Sequence, residues 1–452
     1  MKPRPIWLVN CALIASIGIG ACGRTPSPGL QTQVLQPASP SPVIISTVTS
    51  TPTPHVVQGT VSIWHSLEEA HLPALLKRVA AFQALYPDVQ FDVLYIPRFD
   101  LRQAFETAAG EGGGPTILIA PADWGPVFFD RGWVADLSEY AGPQLRSRLN
   151  QAALSTGRYR GAQISLPLTI DGVVLYRNRS IIPKAAATLQ ELIELAQAAT
   201  RAETVGADLE RSFFYSAGHL YGLGGSLMTE EGLPVFNDRH GVEWLELLLT
   251  FSQAGPTEYL SDNDLALFKN GGVGFLIDAT WNRSSLAESI GPENLAIDPW
   301  PLHSQGNLSG FVMAESLYLV TPGTRAITNE DREASWSFID YFLMPESQAD
   351  LAGVGLIPSL DASHLQQLRA IDATDQGLEL DSLIEQAMVA LAEGVAYPVN
   401  PEISLYNSPM DIALKAVFEG ELSAETALQM ANDLIISSIE NLRATPTPSP
   451  TP

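Results

Sequence analysis

Short apolar segments alternate with amphipathic helical segments between residues 59 and 443, and this alternation limits the folds open to the chain. Residues 61–65 (VSIWH) are typical of a buried strand, and apolar residues at helical spacing follow from 72 to 85. Residues 89–95 alternate like a second strand. A helical stretch over 101–109 then leads into the apolar strand 116–120. This order of strand, helix, strand, helix and strand predicts an α/β fold with a parallel sheet.

The same alternation returns in the second half of the chain. Two sequences, Ser66-x-x-Glu69 and Thr188-x-x-Glu191, have the spacing of a capping box and predict that helices begin there. The later segments predicted as strands are 173–176, 272–278 and 316–320, and those predicted as helices are 188–199, 242–254, 332–343, 411–418 and 423–439.

The first 21 residues have the pattern of a secretory signal. Lys2 and Arg4 precede a mostly apolar stretch over 6–21, which is short for a bilayer span of about 20 residues. A short membrane anchor is the alternative interpretation. The segment ends in Ile-Gly-Ala-Cys, which resembles the bacterial lipobox, where a lipoprotein signal is cut just before a cysteine. That resemblance implies lipidation of Cys22 and an anchor in the cell membrane.

Composition changes sharply after the signal. Residues 24–58 are rich in Pro, Ser and Thr and contain no acidic residue. Such a segment cannot build a core, so we predict that 22–58 form a tether between the lipid and the folded part. The end of the chain, 444–452, repeats this composition in the sequence TPTPSPTP.

Charge and residue counts argue against several classes of function. The chain has 25 Lys and Arg against 50 Asp and Glu, a net charge of −25, which would repel nucleic acid. Two cysteines exclude a disulfide framework, and the seven histidines contain no His-x-His and no i,i+4 pair, so we expect no metal site. No phosphate-binding glycine motif and no G-x-S-x-G sequence occurs. We therefore predict no catalytic residues and no cofactor.

Several segments, taken in order, resemble one known family. These are residues 61–66 (VSIWHS), 117–124 (ILIAPADW), 166–178 (LPLTIDGVVLYRN), 268–275 (FKNGGVGF) with Trp281, and 355–359 (GLIPS). Together they resemble the extracellular solute-binding proteins of ABC transporters, in the family typified by the maltose-binding protein. Residues 273–275 read Val-Gly-Phe where that family has Ala-Ala-Met, a conservative difference for a strand.

The resemblance implies a fold and a cellular role. It implies an α/β, two-lobe periplasmic-binding-protein-like fold, with a hinge of crossing segments and a ligand cleft between the lobes. It further implies a monomeric, non-enzymatic protein outside the cytoplasm that captures a carbohydrate and delivers it to the permease subunits of an ABC transporter. The lobes expected from it are 59–170 with 279–317 for the N-terminal lobe, and 171–278 with 318–443 for the C-terminal lobe.

Some candidate ligand-binding residues lie just after predicted strands, and the others lie at positions that the family resemblance implies. In open α/β sheets ligands bind beyond the carboxyl ends of strands. Indole faces suit the CH face of a sugar ring, and carboxylates accept bonds from hydroxyl groups. Trp281 is the first choice as a stacking platform. The full set is Trp64, Ser66, Glu68, Asp123, Trp124, Asp171, His219, Tyr221, Trp281, Phe311 and Tyr406.

Other interpretations remain open at this stage. Trp64 and Trp281 could be core residues, Ser66 and Asp123 could cap helices, and Asp171 could be a hinge carboxylate. Fifty carboxylates also permit a pair at glycosidase spacing, so a surface glycoside hydrolase is an alternative function. A third hypothesis is a binding protein for a non-sugar solute such as a peptide or polyamine.

Overall fold

The structure of the protein is a computed structural model that describes residues 56–201, 203–256, 263–304, 306–321, 327–375 and 380–444. The predicted signal, Cys22, nearly all of the tether and the tail from residue 445 lie outside the described residues. Every helix within the described ranges is too short or too polar to cross a membrane.

Each of the six predicted strands is observed, several of them longer than predicted, and the described residues contain seven further strands that the sequence analysis did not predict. In chain order they are β1 (Gly59–His65), β2 (Val89–Tyr95), β3 (Ile117–Pro121), β4 (Arg158–Tyr159), β5 (Ala162–Gln163), β6 (Leu166–Asn178), β7 (Val205–Asp208), β8 (Val273–Ala279), β9 (Leu295–Asp298), β10 (Leu302–His303), β11 (Gly306–Asn307), β12 (Phe311–Leu319) and β13 (Val395–Ala396).

The α-helices fill the segments between them. They are α1 (Leu72–Leu85), α2 (Arg98–Gly110), α3 (Gly125–Asp130), α4 (Pro143–Arg148), α5 (Gln151–Thr156), α6 (Leu189–Ala199), α7 (Phe213–Ser216), α8 (Gly218–Gly222), α9 (Arg239–Thr250), α10 (Asn263–Lys269), α11 (Arg283–Ile290), α12 (Asn329–Phe342), α13 (Pro345–Gly353), α14 (Leu365–Asp375), α15 (Ser382–Ala392), α16 (Asn407–Phe418) and α17 (Ala424–Ala444). Short 3-10 turns follow β3 and β8, at Ala122–Trp124 and Thr280–Asn282.

Strands of the described ranges form one large mixed sheet in the order β2-β1-β3-β12-β6-β8-β7, with β9 beside β6 and β13 beside β12. The pairs β1–β2, β1–β3 and β7–β8 are parallel, as predicted for a strand–helix alternation. The central pairs β3–β12, β6–β12 and β6–β8 are antiparallel. The sheet is therefore parallel near its two ends and antiparallel in its centre.

Strand β6 is the segment that joins the two halves of this sheet. Its first part pairs with β12, where Gly172 lies opposite Val312. From Val173 onward it pairs instead with β8 and β9. Strand β12 comes so close to β6 at the change of partner that only glycine fits there. A Cβ atom on Gly172 would lie 2.3 Å from the Phe311 carbonyl oxygen. This arrangement confirms the predicted α/β fold with crossing segments.

Alternate side chains of the crossing strand enter different cores. Val173 and Leu175 of β6 pack in a cluster with α6, α9, α16 and α17, whereas Val174 and Tyr176 pack in the larger cluster that also contains β1 and α12. This follows from the two-residue period of a strand, which sends successive side chains to opposite faces. The mostly buried β6 therefore reads as a nearly continuous apolar run, which is typical of a strand covered on both faces.

One predicted capping box is wrong and the other is half right. Helix α1 begins at Leu72, not after Ser66, and Pro73 in its first turn suits that start because proline lacks the N–H that the turn leaves unbonded. Thr188 does cap α6, since its Oγ1 accepts a hydrogen bond from the Glu191 backbone N–H at 3.1 Å. The Glu191 carboxylate, however, accepts from the backbone N–H of Ala187.

Two segments pack with the opposite half of the sheet from the one to which the sequence analysis assigned them. Strand β9, expected with the N-terminal lobe, pairs with residues 175–178 of β6, the same part of β6 that pairs with β8 along its other edge. Helix α12, expected with the C-terminal lobe, packs against β1, and Phe338 lies in the same core as Val61. The lobe boundaries remain a prediction, and these contacts give the physical reason to move them.

Candidate ligand-binding site

A cavity of about 330 Å³ lies where the crossing strands β6 and β12 meet the turns after β3 and β8. Both halves of the sheet contribute to its wall. It is lined by Arg98, Pro121, Ala122, Asp123, Thr156, Asp171, Phe214, Trp281, Met313, Ala314, Glu315, Tyr397 and Val399. Three of the predicted site residues, Asp123, Asp171 and Trp281, are therefore brought together at one place.

Aromatic rings form one part of the wall. Trp281 lies in the turn that follows β8, and its side chain is 51% exposed, far more than a core indole would be. The Phe214 ring lies 6.2 Å from the Trp281 ring and 5.8 Å from the Tyr397 ring, between centroids. Exposed apolar faces of this kind can stack on an apolar ligand surface. The core interpretation of Trp281 is thus not supported.

The turn that carries Trp281 is held by its polar neighbours. The Asn282 side-chain amide lies 3.1 Å from each oxygen of the Asp278 carboxylate. Burial raises the pKa of Asp278, while the bonds from Asn282 and Tyr215 oppose that rise. These contacts tie the turn to the end of β8 and so fix the position of the indole.

Asp171 lies on β6 just before the change of strand partner. Its Oδ1 accepts a hydrogen bond of 2.7 Å from the Thr280 hydroxyl, and the same hydroxyl oxygen accepts a bond from the Gly172 backbone N–H at 3.0 Å. Burial raises the pKa of Asp171 despite the bond from Thr280. The carboxylate therefore links the crossing strand to the turn that carries Trp281.

Two further carboxylates and one cation complete the polar part of the wall. Glu315 lies on β12, with its Oε2 3.3 Å from the Arg98 guanidinium at the start of α2. Burial raises the pKa of Glu315 to about 7, although Arg98 opposes the rise. Burial also raises the pKa of Asp123, which lies in the turn after β3 and is not the cap of a helix.

Glu315 gives a testable pH dependence in the absence of ligand. An unfolded glutamate titrates near pH 4.3, so between about pH 4.5 and pH 7 the native Glu315 holds a proton that the unfolded chain has lost. Its contribution to stability is therefore present at low pH and is lost as the pH rises through 7. The Glu315→Gln variant lacks this loss, so its stability relative to the parent should rise by on the order of 3 kcal/mol between pH 4.5 and pH 8.

Denaturant unfolding of both proteins at half-unit pH steps checks this expectation. A stability difference that stays constant from pH 4.5 to pH 8 would show that Glu315 titrates like an exposed glutamate. The comparison across pH removes any constant effect of separating Arg98 from its partner.

Four other candidates, which lie in or shortly after β1 and β3, do not line the cavity. Trp64 and Trp124 are half-buried and pack against the cluster of Leu101 and its neighbours. The Arg102 guanidinium lies over the Trp124 ring, 5.8 Å from its centroid. Ser66 is half-buried, and Glu68 is exposed on the segment that precedes α1.

The remaining four candidates are placed in or against the core. The fully buried Tyr406 donates its hydroxyl to the Gly232 carbonyl at 2.9 Å, and His219 Nδ1 accepts a bond from the Ser309 backbone N–H at 3.2 Å. Burial lowers the pKa of His219 to about 4, so the ring is neutral at pH 7. Phe311 packs edge-on against the Tyr397 ring, and Tyr221 packs against Phe311. These placements do not support direct ligand contacts, because none of the four lines the cavity.

Several lining residues were missed by the sequence analysis. Arg98 follows the predicted strand β2 by three residues, so the rule on strand ends could have found it. Glu315 lies inside β12, where alternating burial hides a polar position within an apolar segment. Phe214 lies within the four-residue helix α7, and Tyr397 follows the two-residue strand β13, so neither belongs to a periodic pattern in the sequence.

Comparison with known proteins gives the class to which this fold and cavity belong. The sequence model of the bacterial extracellular solute-binding proteins matches residues 77–373, and the chain belongs to this family. It is a family of binding proteins that act outside the cytoplasm, not of enzymes.

The individual relatives share little sequence identity with this chain. A maltotriose-binding protein of Pyrococcus abyssi is 27% identical over 137 residues, which is 30% of this chain and 30% of that protein. A binding protein of Brucella abortus is 21% identical over 287 residues, covering 60% of this chain and 68% of the relative. The chain thus spans less than a third of the first of these relatives.

Solved structures share the two-lobe fold. The cyclic alpha-maltosyl-1,6-maltose binding protein of Arthrobacter globiformis has a TM-score of 0.73 at 19% identity, covering 85% of this chain and 100% of that one. An extracellular solute-binding protein of Staphylococcus aureus, solved in complex with maltose, has a TM-score of 0.72 at 18% identity, with 85% and 98% covered. At these identities the likeness establishes the fold.

Proposed function

We propose that this protein captures an oligosaccharide outside the cell and delivers it to the permease of an ABC transporter. The observation that carries the proposal is the cavity itself, in which the half-exposed Trp281 faces the same space as the carboxylates of Asp123, Asp171 and Glu315. An indole face with neighbouring hydrogen-bond acceptors suits a sugar ring. Relatives that bind maltotriose or maltose support the same ligand class.

The proposal includes the anchor and the lobes. A lipid on Cys22 and the tether over 22–58 would hold the protein at the membrane that contains its permease. Strand pairing and packing favour lobes divided at the crossing strands β6 and β12, with α12 and α13 in the N-terminal lobe and α16 and α17 in the C-terminal lobe. Closure of these lobes around the sugar would distinguish the loaded from the empty state for the permease.

A thermal-shift screen against neutral mono- and oligosaccharides, amino acids, peptides and polyamines tests the ligand class. A bound sugar at 100 times its dissociation constant should stabilise the fold by about 2.7 kcal/mol, because it binds the folded state only. Stabilisation by a polyamine or a peptide with none by any saccharide would contradict the proposal. Release of shortened oligosaccharides during incubation would favour the hydrolase alternative instead.

A further inference from the structure

The charges in the wall of the cavity are unbalanced. Among the described residues that line the cavity, Asp123, Asp171 and Glu315 face Arg98, so three carboxylates stand against one guanidinium, a formal charge of −2 when all are ionised. The Glu315 side chain is only 15% exposed, so water screens its charge weakly. At a pH where Asp171 and Glu315 are both ionised, enclosing these two carboxylates without counter-ions is costly, which favours a ligand that brings positive charge.

Nearby cations do not restore the balance. Arg102 and Arg283 attract Asp123 and Asp171, respectively, through space, but neither lines the cavity. The Arg102 guanidinium pairs with Glu106 at 3.0 Å on the same helix. The buried Arg283 donates to the Gly355 carbonyl at 2.7 Å. Arg102 is thus paired with another carboxylate, whereas Arg283 is bonded to a neutral carbonyl and offsets part of the charge on Asp171. Even with Arg283 counted beside Arg98, the three carboxylates keep a formal excess of one negative charge when all are ionised.

The aromatic part of the wall adds a second and independent attraction for a cation. The Phe214 ring lies 6.2 Å from Trp281 and 5.8 Å from Tyr397, so three ring systems border the same 330 Å³ as the carboxylates. The face of an aromatic ring attracts an ammonium group, and a tryptophan face does so most strongly. Carboxylates that only accepted bonds from neutral hydroxyl groups would not need this excess of charge.

From this combination we infer that the saccharide bound in the cavity carries a protonated amine, so that its class is that of amino sugars. The inference rests on the proposed function, because it takes the saccharide from there and adds the charge. The ammonium group lies against the carboxylates of Asp171 and Glu315, and the carbon skeleton of the sugar lies against the Trp281 ring.

Two trisaccharides that differ only in this group test the inference. The β-1,4-linked trimer of glucosamine carries an amine where cellotriose carries the hydroxyl group at each second carbon. At pH 7.3, between the pKa of about 7 of Glu315 and that of about 7.7 of an amine beside electron-withdrawing groups, more than half of each group is ionised, and calorimetric titration should give the glucosamine trimer a Kd at least about 10-fold lower. Equal affinities, or tighter binding of cellotriose, would overturn the inference and leave the neutral-sugar proposal in place.

Variants of the wall show whether the carboxylates cause the preference. Asp171→Asn and Glu315→Gln keep the size of each side chain and should each bring the ratio of the two dissociation constants closer to one. Glu385→Gln removes an equal charge from a surface pair with Arg369 and should leave the ratio unchanged. Both cavity variants are checked for folding by thermal melting. If the ratio of the two dissociation constants in each is as large as in the parent protein, the inference is overturned.

The remaining outcomes are decisive as well. Failure of the glucosamine trimer to bind, while the screen finds a neutral sugar that does, overturns the amine alone. Binding of spermidine with no binding of any saccharide overturns both the amino-sugar inference and the proposed function. Tighter binding of the glucosamine trimer that weakens in both cavity variants supports the two together.

Discussion

Replacing Asp298 with asparagine should lower the free energy of unfolding by about 3–5 kcal/mol. Asp298 ends β9 and makes two contacts with Arg177 of β6, Oδ2 to Nε at 2.7 Å and Oδ1 to Nη2 at 3.0 Å. Both side chains are almost completely buried, at 7% and 5% exposed. The substitution keeps the shape of the side chain but leaves a buried guanidinium without its counter-charge. An uncompensated buried charge is strongly destabilising.

The position of this pair explains why the loss cannot be repaired locally. Arg177 also donates through Nη1 to the Ile182 carbonyl at 2.9 Å, which holds the chain after β6. Strand β9 pairs with the same end of β6, so the guanidinium has little room to turn towards water. Equilibrium unfolding in urea, followed by circular dichroism and by tryptophan fluorescence, measures the change.

A surface ion pair provides the control. Arg239 and Glu243 lie four residues apart on α9, with 3.2 Å between their charged groups and the arginine 75% exposed. The Glu243→Gln substitution makes a similar chemical change and should cost only about 0.3–0.5 kcal/mol, since water screens the pair. Similar losses in the two variants would mean that the Arg177–Asp298 pair is no more shielded from water than the surface pair.

Secondary structure could be predicted from the sequence where the apolar pattern was long and regular. The strands and helices between 59 and 120 lie where periodicity placed them. The start of α1 was missed because the Ser-x-x-Glu spacing was taken as a capping box, although Pro73, which suits the first turn of a helix, indicates the observed start. Lobe membership was also harder, because strand pairing between distant segments such as β6 and β9 leaves no local pattern.

For the candidate site too, the sequence predicts features that depend on neighbouring residues and misses those that depend on contacts between distant segments. Asp123 and Trp281 lie in turns just after strands, so a rule on strand ends could find them. The sequence shows which aromatic residues exist, but it does not show which are covered by other segments. Tyr406 is in the core because its hydroxyl reaches the Gly232 carbonyl, 174 positions away in the chain. Trp281 remains half-exposed because none of the described residues covers its outer face.

The Trp281→Ala substitution should weaken binding of the sugar identified in the screen by roughly 50–100-fold. A tryptophan buries about 150–250 Å² when covered, and the Trp281 side chain is 51% exposed, so a stacked sugar would cover about 100 Å² of it. At about 25 cal/mol per Å², this area is worth about 2.5 kcal/mol of binding free energy. Calorimetric titration of the parent and the variant with the same sugar measures the difference.

Two further variants separate stacking from a general loss of structure. Trp281→Phe keeps part of the ring face and should give an intermediate affinity. Tyr140→Ala removes a ring that is 36% exposed and packs on Trp336 outside the cavity, so it should change the affinity less than about 2-fold. Because Trp281 is half-exposed, the ligand-free Trp281→Ala variant should keep a melting temperature near that of the parent. An unchanged affinity in the folded Trp281→Ala variant would show that the sugar does not stack on this ring, and that the carboxylate side of the cavity supplies the binding free energy.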